Sequence, residues 1–340
     1  MKRKNGTRRG IALAFCLLVA VLAAGCGGSQ GASTQPANTV RLGYFPNLTH
    51  MAAIVALEKG YFQEELGTEI TLETKTFPNG GLFMEAMSTG ELDVGYVGPG
   101  PAMNNYLKNP AHQVIAGAVN GGAVLEVRGD AGISSVEDLD GKRVAIPVIG
   151  STQDIMLRKT LKEVGLNIKT NGGTVEMIAQ APADTATLFL QKDVDAAATQ
   201  EPWGINLEQK AGAKLLLNWD QFAWGKESTN TVVVATKSFL SANPDLSKKL
   251  LQAHVRAVQF VRDNPDEAVQ LLIQHIKKLT GKELQAADIR QAMDRSEVTW
   301  NVNEEVLREM AAISKEAGYT RSDNLDGFVN LTYLQEVVKE

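Results

Sequence analysis

Cysteine, histidine and aromatic residues are scarce in this sequence of 340 residues, which has two cysteines, four histidines and 6% aromatic residues. Cys16 lies in an apolar N-terminal segment, which is predicted below to be removed on export. A mature chain that starts at Cys26 then has one thiol and forms no internal disulfide. The histidines are scattered without the spacing of metal ligands. We therefore expect no metal site, and no cysteine is available as a catalytic nucleophile.

An excess of basic residues is also missing. The chain has 34 Lys and Arg residues against 39 Asp and Glu residues, and its net charge of −5 gives no reason to expect a nucleic-acid partner. It contains no GxGxxG or GxxxxGK[ST] motif and no GxSxG elbow between a strand and a helix, so neither a nucleotide site nor a serine-hydrolase site is expected. We therefore expect no cofactor and no catalytic residues.

The N-terminal segment is predicted to direct export. Basic residues precede an apolar run over residues 11–24, which is short for a transmembrane helix of about 20 residues and fits the core of a signal peptide over residues 1–25. The run ends in LAAGC, which resembles the lipobox of bacterial lipoproteins, with Leu22 one place earlier than usual. Cys26 is the expected lipidation site. Small polar residues then indicate a flexible tether over residues 26–38, which would anchor the protein to the outer face of the cell membrane or in the periplasm. Ordinary secretion with cleavage nearby is the alternative.

From Thr39 onward, strand-like and helix-like segments alternate, which is typical of an α/β fold with largely parallel sheets. The same order of segments occurs twice along the chain. The segment ELDVGYVGPGP aligns with KDVDAAATQEPWG through Asp93 and Asp195, which we interpret as turn-forming residues. The pattern predicts two lobes of one architecture, because a solenoid would need more than two copies.

The lobe boundaries are predicted from where the repeat begins and ends. Residues 39–126 and 231–340 are expected to form lobe I, and residues 127–230 are expected to form lobe II. The mostly helical C-terminal part would return to lobe I. The chain then passes between the lobes near 125–128 and 228–232, and short segments of this kind can absorb a hinge motion.

Ligands of open parallel sheets bind beyond the carboxyl ends of the strands, where each strand turns into a helix. Four predicted turns of this kind are rich in Gly, Pro, Ser or Thr, at residues 46–50, 98–101, 150–153 and 200–204. Each presents backbone N–H groups or hydroxyls at the start of a helix. The predicted ligand-binding residues are Asn47, Thr49, His50, Gly98, Pro99, Gly100, Ser151, Thr152, Gln153, Glu201 and Trp203.

The first turn leads into a helix that has no acidic residue near its start. Apolar residues recur at helical spacing over residues 51–57, which indicates one buried face, and Thr49 is the expected N-cap. No Asp or Glu compensates the positive end of the helix dipole before Glu58. We therefore expect a bound ligand to supply the negative charge.

The composition of the four turns narrows the ligand class. None contains Arg or Lys, and because a bidentate Arg would suit a carboxylate or phosphate, the absence favours a weakly basic monoanion such as a sulfonate or nitrate. Phe45, Tyr96 and Trp203 could line an apolar pocket, which favours an organic tail. Ser151 and Asp154 form a predicted capping box, so Ser151 has a structural role as well.

The motifs VRLGYFPNLTHMAAIVALEKGYF, ELDVGYVGPGPA, SVEDLDGKRVAIP followed by GST, and QEPWG together resemble the substrate-binding lipoproteins of ABC importers. Within that group they resemble the nitrate, taurine and alkanesulfonate branch, over the whole chain from about Thr39. The resemblance implies an α/β, two-lobed periplasmic-binding-protein-like fold of type II, with two parallel or mixed sheets flanked by helices and a cleft between the lobes. It also implies delivery of the ligand to a membrane permease driven by an ATPase. We expect a monomer.

An alkanesulfonate or taurine-like anion is the preferred ligand. Nitrate or bicarbonate would suit the same helix ends, and a pyrimidine- or flavin-like molecule stays open because Glu201 could accept hydrogen bonds from a neutral ligand. An exported enzyme and a ligand sensor on the same scaffold are further alternatives. The related enzymes that make a thiamin precursor carry a cysteine-rich stretch, and this chain has no cysteine after Cys26.

Overall fold

The computed structural model describes residues 38–339. The predicted signal peptide, Cys26 and all of the predicted tether except Asn38 lie outside the described residues. The described strands are β1 (Thr39–Tyr44), β2 (Thr71–Thr76), β3 (Val94–Val97), β4 (His112–Gly121), β5 (Ala123–Val127), β6 (Arg143–Ile146), β7 (Glu176–Ala179), β8 (Ala196–Gln200), β9 (Lys214–Leu217), β10 (Thr229–Thr236) and β11 (Ser296–Val298).

The helices lie between these strands and dominate the C-terminal part. They are α1 (Met51–Glu58), α2 (Tyr61–Leu66), α3 (Gly80–Ser88), α4 (Pro99–Tyr106), α5 (Thr152–Glu163), α6 (Thr185–Gln191), α7 (Trp203–Ala211), α8 (Lys237–Ala242), α9 (Pro244–Asp263), α10 (Pro265–Thr280), α11 (Ala286–Met293), α12 (Glu304–Glu316) and α13 (Thr332–Lys339). Among these described helices, none has the length and apolar character needed to cross a membrane.

The first sheet has the strand order β11-β4-β10-β3-β1-β2. β1 pairs in parallel with β2 and β3, whereas β10 runs antiparallel to both β3 and β4. The central strand β3 is the short apolar run VGYV, and all of its residues are buried. A strand that is buried on both faces is expected where helices cover the two sides of a sheet.

The second sheet repeats this arrangement. Its strand order is β7-β6-β8-β5-β9, with β6 parallel to β7 and β8, and β5 antiparallel to β8 and β9. The succession β2-β1-β3-β10 of the first sheet therefore recurs as β7-β6-β8-β5. The predicted α/β fold with two mixed sheets flanked by helices is confirmed.

Asp93 and Asp195 occupy equivalent places in the two sheets, just before β3 and β8. Asp93 Oδ2 accepts a hydrogen bond from Arg41 N at 2.9 Å, and Asp195 Oδ2 accepts one from Arg143 N at 2.9 Å. Each carboxylate is also paired with a guanidinium, from Arg41 at 2.7 Å and from Arg128 at 3.1 Å. These residues therefore clamp β1 to β3 and β6 to β8, in addition to standing at a bend of the chain, where turn-forming residues were predicted.

The chain changes from one sheet to the other at two places. β4 ends at Gly121 in the first sheet and β5 starts at Ala123 in the second, so the first change falls at Gly122, a few residues before the predicted boundary. Gly121 and Gly122 have φ angles of 66° and 72°, which glycine adopts without steric strain. The second change lies between β9 and β10, at residues 218–228.

The C-terminal helices cover lobe I and also reach lobe II. All residues over 51–56 in α1 are fully buried, because α9 and α10 pack across the helix. A helix that is apolar all round belongs in a core, so the expectation of a single buried face is corrected. Helix α12 packs on both α4 and α5, which belong to different lobes, and the predicted return to lobe I is therefore only part of its role.

Candidate functional site

A small cavity lies between the two lobes, at the carboxyl ends of the strands. Its volume is about 40 Å³. The lining comes from both lobes and consists of Phe45, Asn47, Thr49, His50, Pro78, Asn79, Gly80, Gly98, Pro101, Pro147, Val148, Ser151, Thr152, Gln153, Gln200, Asn230 and Thr231. This described lining contains no Lys, Arg, Asp or Glu. Within residues 38–339 no group of three His, Cys, Asp or Glu side chains is placed to hold a metal ion.

Four helix starts meet at this cavity, and the residue that caps each start lines it. These caps are Asn47 before the 3₁₀ turn Leu48–His50 that leads into α1, Asn79 before α3, Gly98 before α4 and Ser151 before α5. The first turns of the 3₁₀ segment, α1, α3 and α4 contain no acidic residue. Asn79 and Ser151 each accept a hydrogen bond from one N–H group of their own helix, whereas Asn47 and Gly98 make no such side-chain cap. The N–H groups that stay uncapped and the helix dipoles give the cavity a partial positive charge.

The first turn differs in detail from its prediction. Helix α1 begins at Met51, so Thr49 lies in the 3₁₀ turn and does not cap α1. Thr49 Oγ1 donates instead to Asn47 Oδ1 at 2.9 Å. Phe45 N donates to His50 Nδ1 at 3.2 Å, and the two rings stack with centroids 4.4 Å apart. The turn is thus held by its own side chains.

His50 is a neutral hydrogen-bond donor in this site. Burial lowers the pKa of the ring to about 3, so the imidazole carries no charge at neutral pH. Because Nδ1 accepts from the backbone, the ring proton resides on Nε2. A histidine in this state neither supplies a positive charge nor takes a proton from a substrate at neutral pH.

Glycines in the second turn allow the two lobes to approach each other closely. Gly100 N donates to Thr152 Oγ1 at 3.2 Å across the cleft. A Cβ atom on Gly100 would lie 2.8 Å from Thr152 N, and one on Gly98 would lie 2.6 Å from Thr152 Oγ1. Gln153 Nε2 donates to Asn230 Oδ1 at 3.0 Å and ties α5 to the start of β10. The structure is therefore in a closed arrangement of the lobes.

The acidic residue in the first turn of α5 is occupied by partners of its own. Asp154 Oδ2 accepts from Gly150 N at 2.7 Å and from the Tyr319 hydroxyl at 2.5 Å, and Oδ1 accepts from Arg158 Nε at 2.8 Å. Arg158 Nη2 also donates to the Tyr319 hydroxyl at 2.6 Å. Ser151 Oγ accepts from Asp154 N at 3.2 Å, as expected for the N-cap. Since Tyr319 follows α12, this network joins the lobes a second time.

The fourth predicted turn is built differently from the other three. Of the residues in this turn, only Gln200 is among the cavity-lining residues that the structure describes. Glu201 Oε2 accepts from Ile205 N at 3.1 Å, so α7 is capped by a side chain of this chain. The predicted site residues that the structure places outside the cavity lining are Pro99, Gly100, Glu201 and Trp203.

The aromatic residues expected to form one apolar pocket are spread apart. Phe45 lines the cavity. Tyr96 is fully buried, with its hydroxyl 2.9 Å from His254 Nδ1. Trp203 is 7% exposed and lies under Lys282, whose Nζ is 5.3 Å from the ring centroid. The cavity is consequently more polar than the aromatic residues of the sequence suggested.

A buried charge cluster lies behind the fourth turn. Arg295 Nη1 is 2.9 Å from Glu201 Oε1, 2.7 Å from Glu208 Oε1 and 3.9 Å from Glu126 Oε1. Burial raises the pKa of Glu201 to about 7 even though Arg295 attracts the carboxylate. Burial and the neighbouring carboxylates also raise the pKa of Glu126. Glu201 and Glu126 therefore retain protons well above the ordinary range of Glu, because burial disfavours their charged forms.

Sequence reasoning missed the turn between β2 and α3 and the start of β10. The first contributes Pro78, Asn79 and Gly80, and the second contributes Asn230 and Thr231. The segment PNGG before α3 carries the same signal as the predicted turns and could have been found. No local sequence pattern identifies the two β10 residues as part of the cavity, because they reach it only where the chain passes from one lobe to the other.

The sequence matches the NMT1-like family over residues 33–276. A taurine-binding periplasmic protein of Escherichia coli (strain K12) is 28% identical over 216 residues, which cover 63% of this chain and 64% of that protein. A candidate aliphatic sulfonates-binding protein of Bacillus subtilis (strain 168) is 31% identical over 264 residues, which cover 75% of this chain and 76% of that protein.

The fold is similar to that of the alkanesulfonate-binding protein SsuA from Xanthomonas axonopodis pv. citri bound to MOPS. The TM-score is 0.74 at 18% identity, and the match covers 87% of this chain and 99% of that chain. At this level of identity the similarity shows the fold. The family match spans well over half of the sequence and includes the helix starts that meet at the cavity, and the chain therefore belongs to the NMT1-like family.

Proposed function

We propose that the chain is the solute-binding component of an ABC importer, and that it binds a small organic sulfonate between its lobes. The observation that carries the proposal is the meeting of four helix starts at a cavity whose described lining contains no charged side chain. The relatives named for taurine and aliphatic sulfonates support a transport role.

Neutral donors are strong enough to hold a monoanion here. A helix N-terminus contributes about 0.3–1 kcal/mol at an exposed site and up to about 2 kcal/mol when partly buried. Hydrogen bonds to a charged group add about 1.5–3 kcal/mol each. A micromolar Kd corresponds to about 8 kcal/mol, which several such contacts supply after desolvation and closure are subtracted.

The lack of charged side chains also selects among anions. A carboxylate or phosphate would be expected to face a bidentate Arg, and the described lining has none. An ammonium group would need a carboxylate, and the lining has none of these either. We therefore expect a sulfonate with an uncharged tail to bind better than the zwitterion taurine, which narrows the taurine-like ligand expected from the sequence.

Nitrate or bicarbonate is the second candidate, and the size of the cavity favours it. One water centre needs about 10–15 Å³, so a volume of about 40 Å³ has room for roughly three water-sized groups. A compact anion or a single sulfonate group fills this space. Any organic tail has to lie elsewhere.

A binding role agrees better with the site than catalysis does. Among the cavity-lining residues that the structure describes, only His50 has a titratable side chain, and burial lowers its pKa to about 3. It is therefore unsuited to general base catalysis at neutral pH. We infer an exported, monomeric protein held to the outer face of the membrane by a lipid on Cys26, with a permease and its ATPase as partners.

The replacement Thr152→Val tests the proposal. The Thr152 hydroxyl is buried, accepts from Gly100 N and keeps its own proton for an anion in the cavity. We expect the variant to bind methanesulfonate about ten-fold or more weakly in calorimetric titrations, since a hydrogen bond to a charged group is lost.

Thr160→Val is the matched control for this experiment. Thr160 lies in the same helix, is similarly buried and has a hydroxyl without a partner among the described residues, away from the cavity. Its substitution should leave the Kd within about two-fold of the original value. Equal affinity of both variants would contradict the proposed site, and failure of methanesulfonate, nitrate and bicarbonate to bind would contradict the proposed function.

A further inference from the structure

Tyr319 is held firmly at the end of α12. The sequence KEAGYT ends this helix with a glycine, and Gly318 has a φ angle of 79°, which glycine adopts without strain. Gly318 N donates to Lys315 O at 3.0 Å, and Tyr319 N donates to Ser314 O at 2.9 Å. This pair of bonds is the Schellman motif, which closes the last turn of a helix. The backbone of Tyr319 is therefore fixed relative to α12.

The segments on both sides of Tyr319 are anchored in lobe I. The buried apolar residues of α12 lie in a core with side chains of α3, α4 and β10, and among the described residues only Ile155 of α5 joins that core from lobe II. After Tyr319 the chain returns to β4, where Val114 N donates to Phe328 O and Asn330 N donates to Val114 O, each at 2.8 Å. Tyr319 therefore moves with lobe I.

The Tyr319 hydroxyl reaches across to lobe II and meets a buried ion pair. Asp154 and Arg158 lie one turn apart in α5, their side chains are 0% and 8% exposed, and they are 2.8 Å apart. The hydroxyl donates to Asp154 Oδ2 at 2.5 Å and accepts from Arg158 Nη2 at 2.6 Å. Burial raises the pKa of Tyr319, so the phenol keeps the proton that it donates. Both bonds have a charged partner, and such bonds are stronger than bonds between neutral groups.

The same carboxylate holds the turn that lines the cavity. Asp154 Oδ2 also accepts from Gly150 N, and Asp154 N donates to Ser151 Oγ. Ser151 and the two residues after it line the cavity, whereas Tyr319 is not among the lining residues that the structure describes. A tyrosine of lobe I therefore fixes the start of α5 without taking a place in the cavity.

We propose that the contact of Tyr319 with Asp154 and Arg158 acts as a latch, which keeps the lobes closed and slows the escape of the ligand. The inference rests on the proposed function, in which an anion occupies the cavity. The pair of Asp154 and Arg158 lies within lobe II and persists when the lobes separate, whereas the hydroxyl makes its two bonds only when they are closed. Contacts made in one state shift the equilibrium toward that state. Tyr319 is thus a positioning residue for binding.

Tyr319→Phe tests the latch. The variant keeps the ring beside Arg158, whose Cζ is 5.0 Å from the ring centroid, and loses only the hydroxyl. Asp154 Oδ2 and Arg158 Nη2 then each lose a partner in the closed protein, whereas water can reach them when the lobes are open. We expect methanesulfonate to dissociate about ten-fold or more faster and to associate at a rate within about two-fold of the original. The melting temperature of the free protein should change little.

Stopped-flow measurement of tryptophan fluorescence gives both rates. Trp224 packs against the cores of both lobes and is therefore placed to report their closure. Glu316→Gln is the matched control, because it breaks another contact between α5 and α12. Lys162 Nζ and Glu316 Oε2 are 2.8 Å apart, and both side chains are exposed. Since an exposed ion pair contributes little, both rates should stay within about two-fold.

Asp154→Ala tests whether the hydroxyl acts through α5. Asp154 supplies the acceptor of the Tyr319 proton, so the two substitutions should not be additive. In the Asp154→Ala background, Tyr319→Phe should speed dissociation by a clearly smaller factor than it does in the original protein. An equal factor in both backgrounds would show that the hydroxyl acts elsewhere and would overturn the latch.

The outcomes separate the latch from the proposed function. If methanesulfonate binds the original protein and Tyr319→Phe leaves its dissociation rate unchanged, the latch is refuted and the proposed function stands. The latch is also refuted if Tyr319→Phe slows association instead, if Glu316→Gln has an equal effect, or if the free Tyr319→Phe protein melts at a clearly lower temperature. If methanesulfonate, nitrate and bicarbonate all fail to bind the original protein, both proposals fail. Faster dissociation that depends on Asp154 supports the latch.

Discussion

Replacing Glu201 by Gln is expected to change how the stability of the protein depends on pH. The Glu201 side chain is fully buried, Arg295 and Glu208 lie beside it, and Glu126 shares the same guanidinium. Burial raises the pKa of Glu201 from the ordinary 4.5 to about 7. The folded state therefore binds a proton more tightly than the unfolded state does.

The sign and size of the effect follow from this difference. The stabilisation from the raised pKa is fully present below pH 4.5 and is lost as the pH rises through 7. A rise of the Glu201 pKa from 4.5 to about 7 corresponds to a contribution of about 3 kcal/mol to the free energy of unfolding. The raised pKa of Glu126 acts in the same direction. Gln does not titrate, so the variant should lack the contribution of Glu201.

Urea denaturation at pH 5, 6, 7 and 8 measures the effect as a difference between the original protein and the variant. The amide disturbs the contacts of Arg295 and Ile205 at every pH, so the informative quantity is the change of the difference with pH, and not its absolute value. Glu163→Gln, which removes an exposed ion pair with Lys159, is the control. Its free energy of unfolding should differ from that of the original protein by less than about 1 kcal/mol, and by the same amount at every pH. If the free energy of unfolding depended on pH in the same way for the original protein and for Glu201→Gln, the reasoning would be refuted.

Two further substitutions test the geometry of the cleft. Gly100→Ala should weaken methanesulfonate binding by about ten-fold or more, because the new Cβ would lie 2.8 Å from Thr152 N when the lobes are closed. The melting temperature of the free protein should change little, because the two atoms are this close only in the closed arrangement. Unchanged affinity in calorimetric titration would contradict the closed arrangement. Trp203→Ala should leave methanesulfonate affinity within about two-fold and cost about 3–5 kcal/mol of stability in urea, since the side chain is buried outside the cavity lining. A clear loss of affinity at preserved stability would return Trp203 to the site.

The helix starts of the site were predictable where the sequence signal is local. Turns that lead into α1, α4 and α5 carry Gly, Pro, Ser or Thr after a strand, and all three line the cavity. The fourth predicted turn failed as an open helix start because Glu201 folds back onto Ile205 N and is held by Arg295. That pairing joins residues far apart in the sequence, which no local pattern reveals.

The α/β duplication was also predictable, but the exchange of strands between lobes was not. The repeat of strand and helix signals identifies β1, β2 and β3 with β6, β7 and β8. The antiparallel strands β5 and β10 come from the crossing segments, and their place depends on long-range pairing that the local pattern does not contain. The burial of α1 on every side has the same origin, since α9 and α10 cover it from almost two hundred residues away.

The way the strands are shared sets the order in which the two sheets can be completed. The second sheet draws β5 to β9 from one continuous stretch, so it has all of its strands once residue 217 is available. The first sheet cannot close at that point, because β10 is inserted between β3 and β4 and comes only with residues 229–236. Domains generally form from the N-terminus onward as the chain emerges. Here the lobe that starts first must wait for the other, with β3 and β4 unpaired along their facing edges until the later strand arrives.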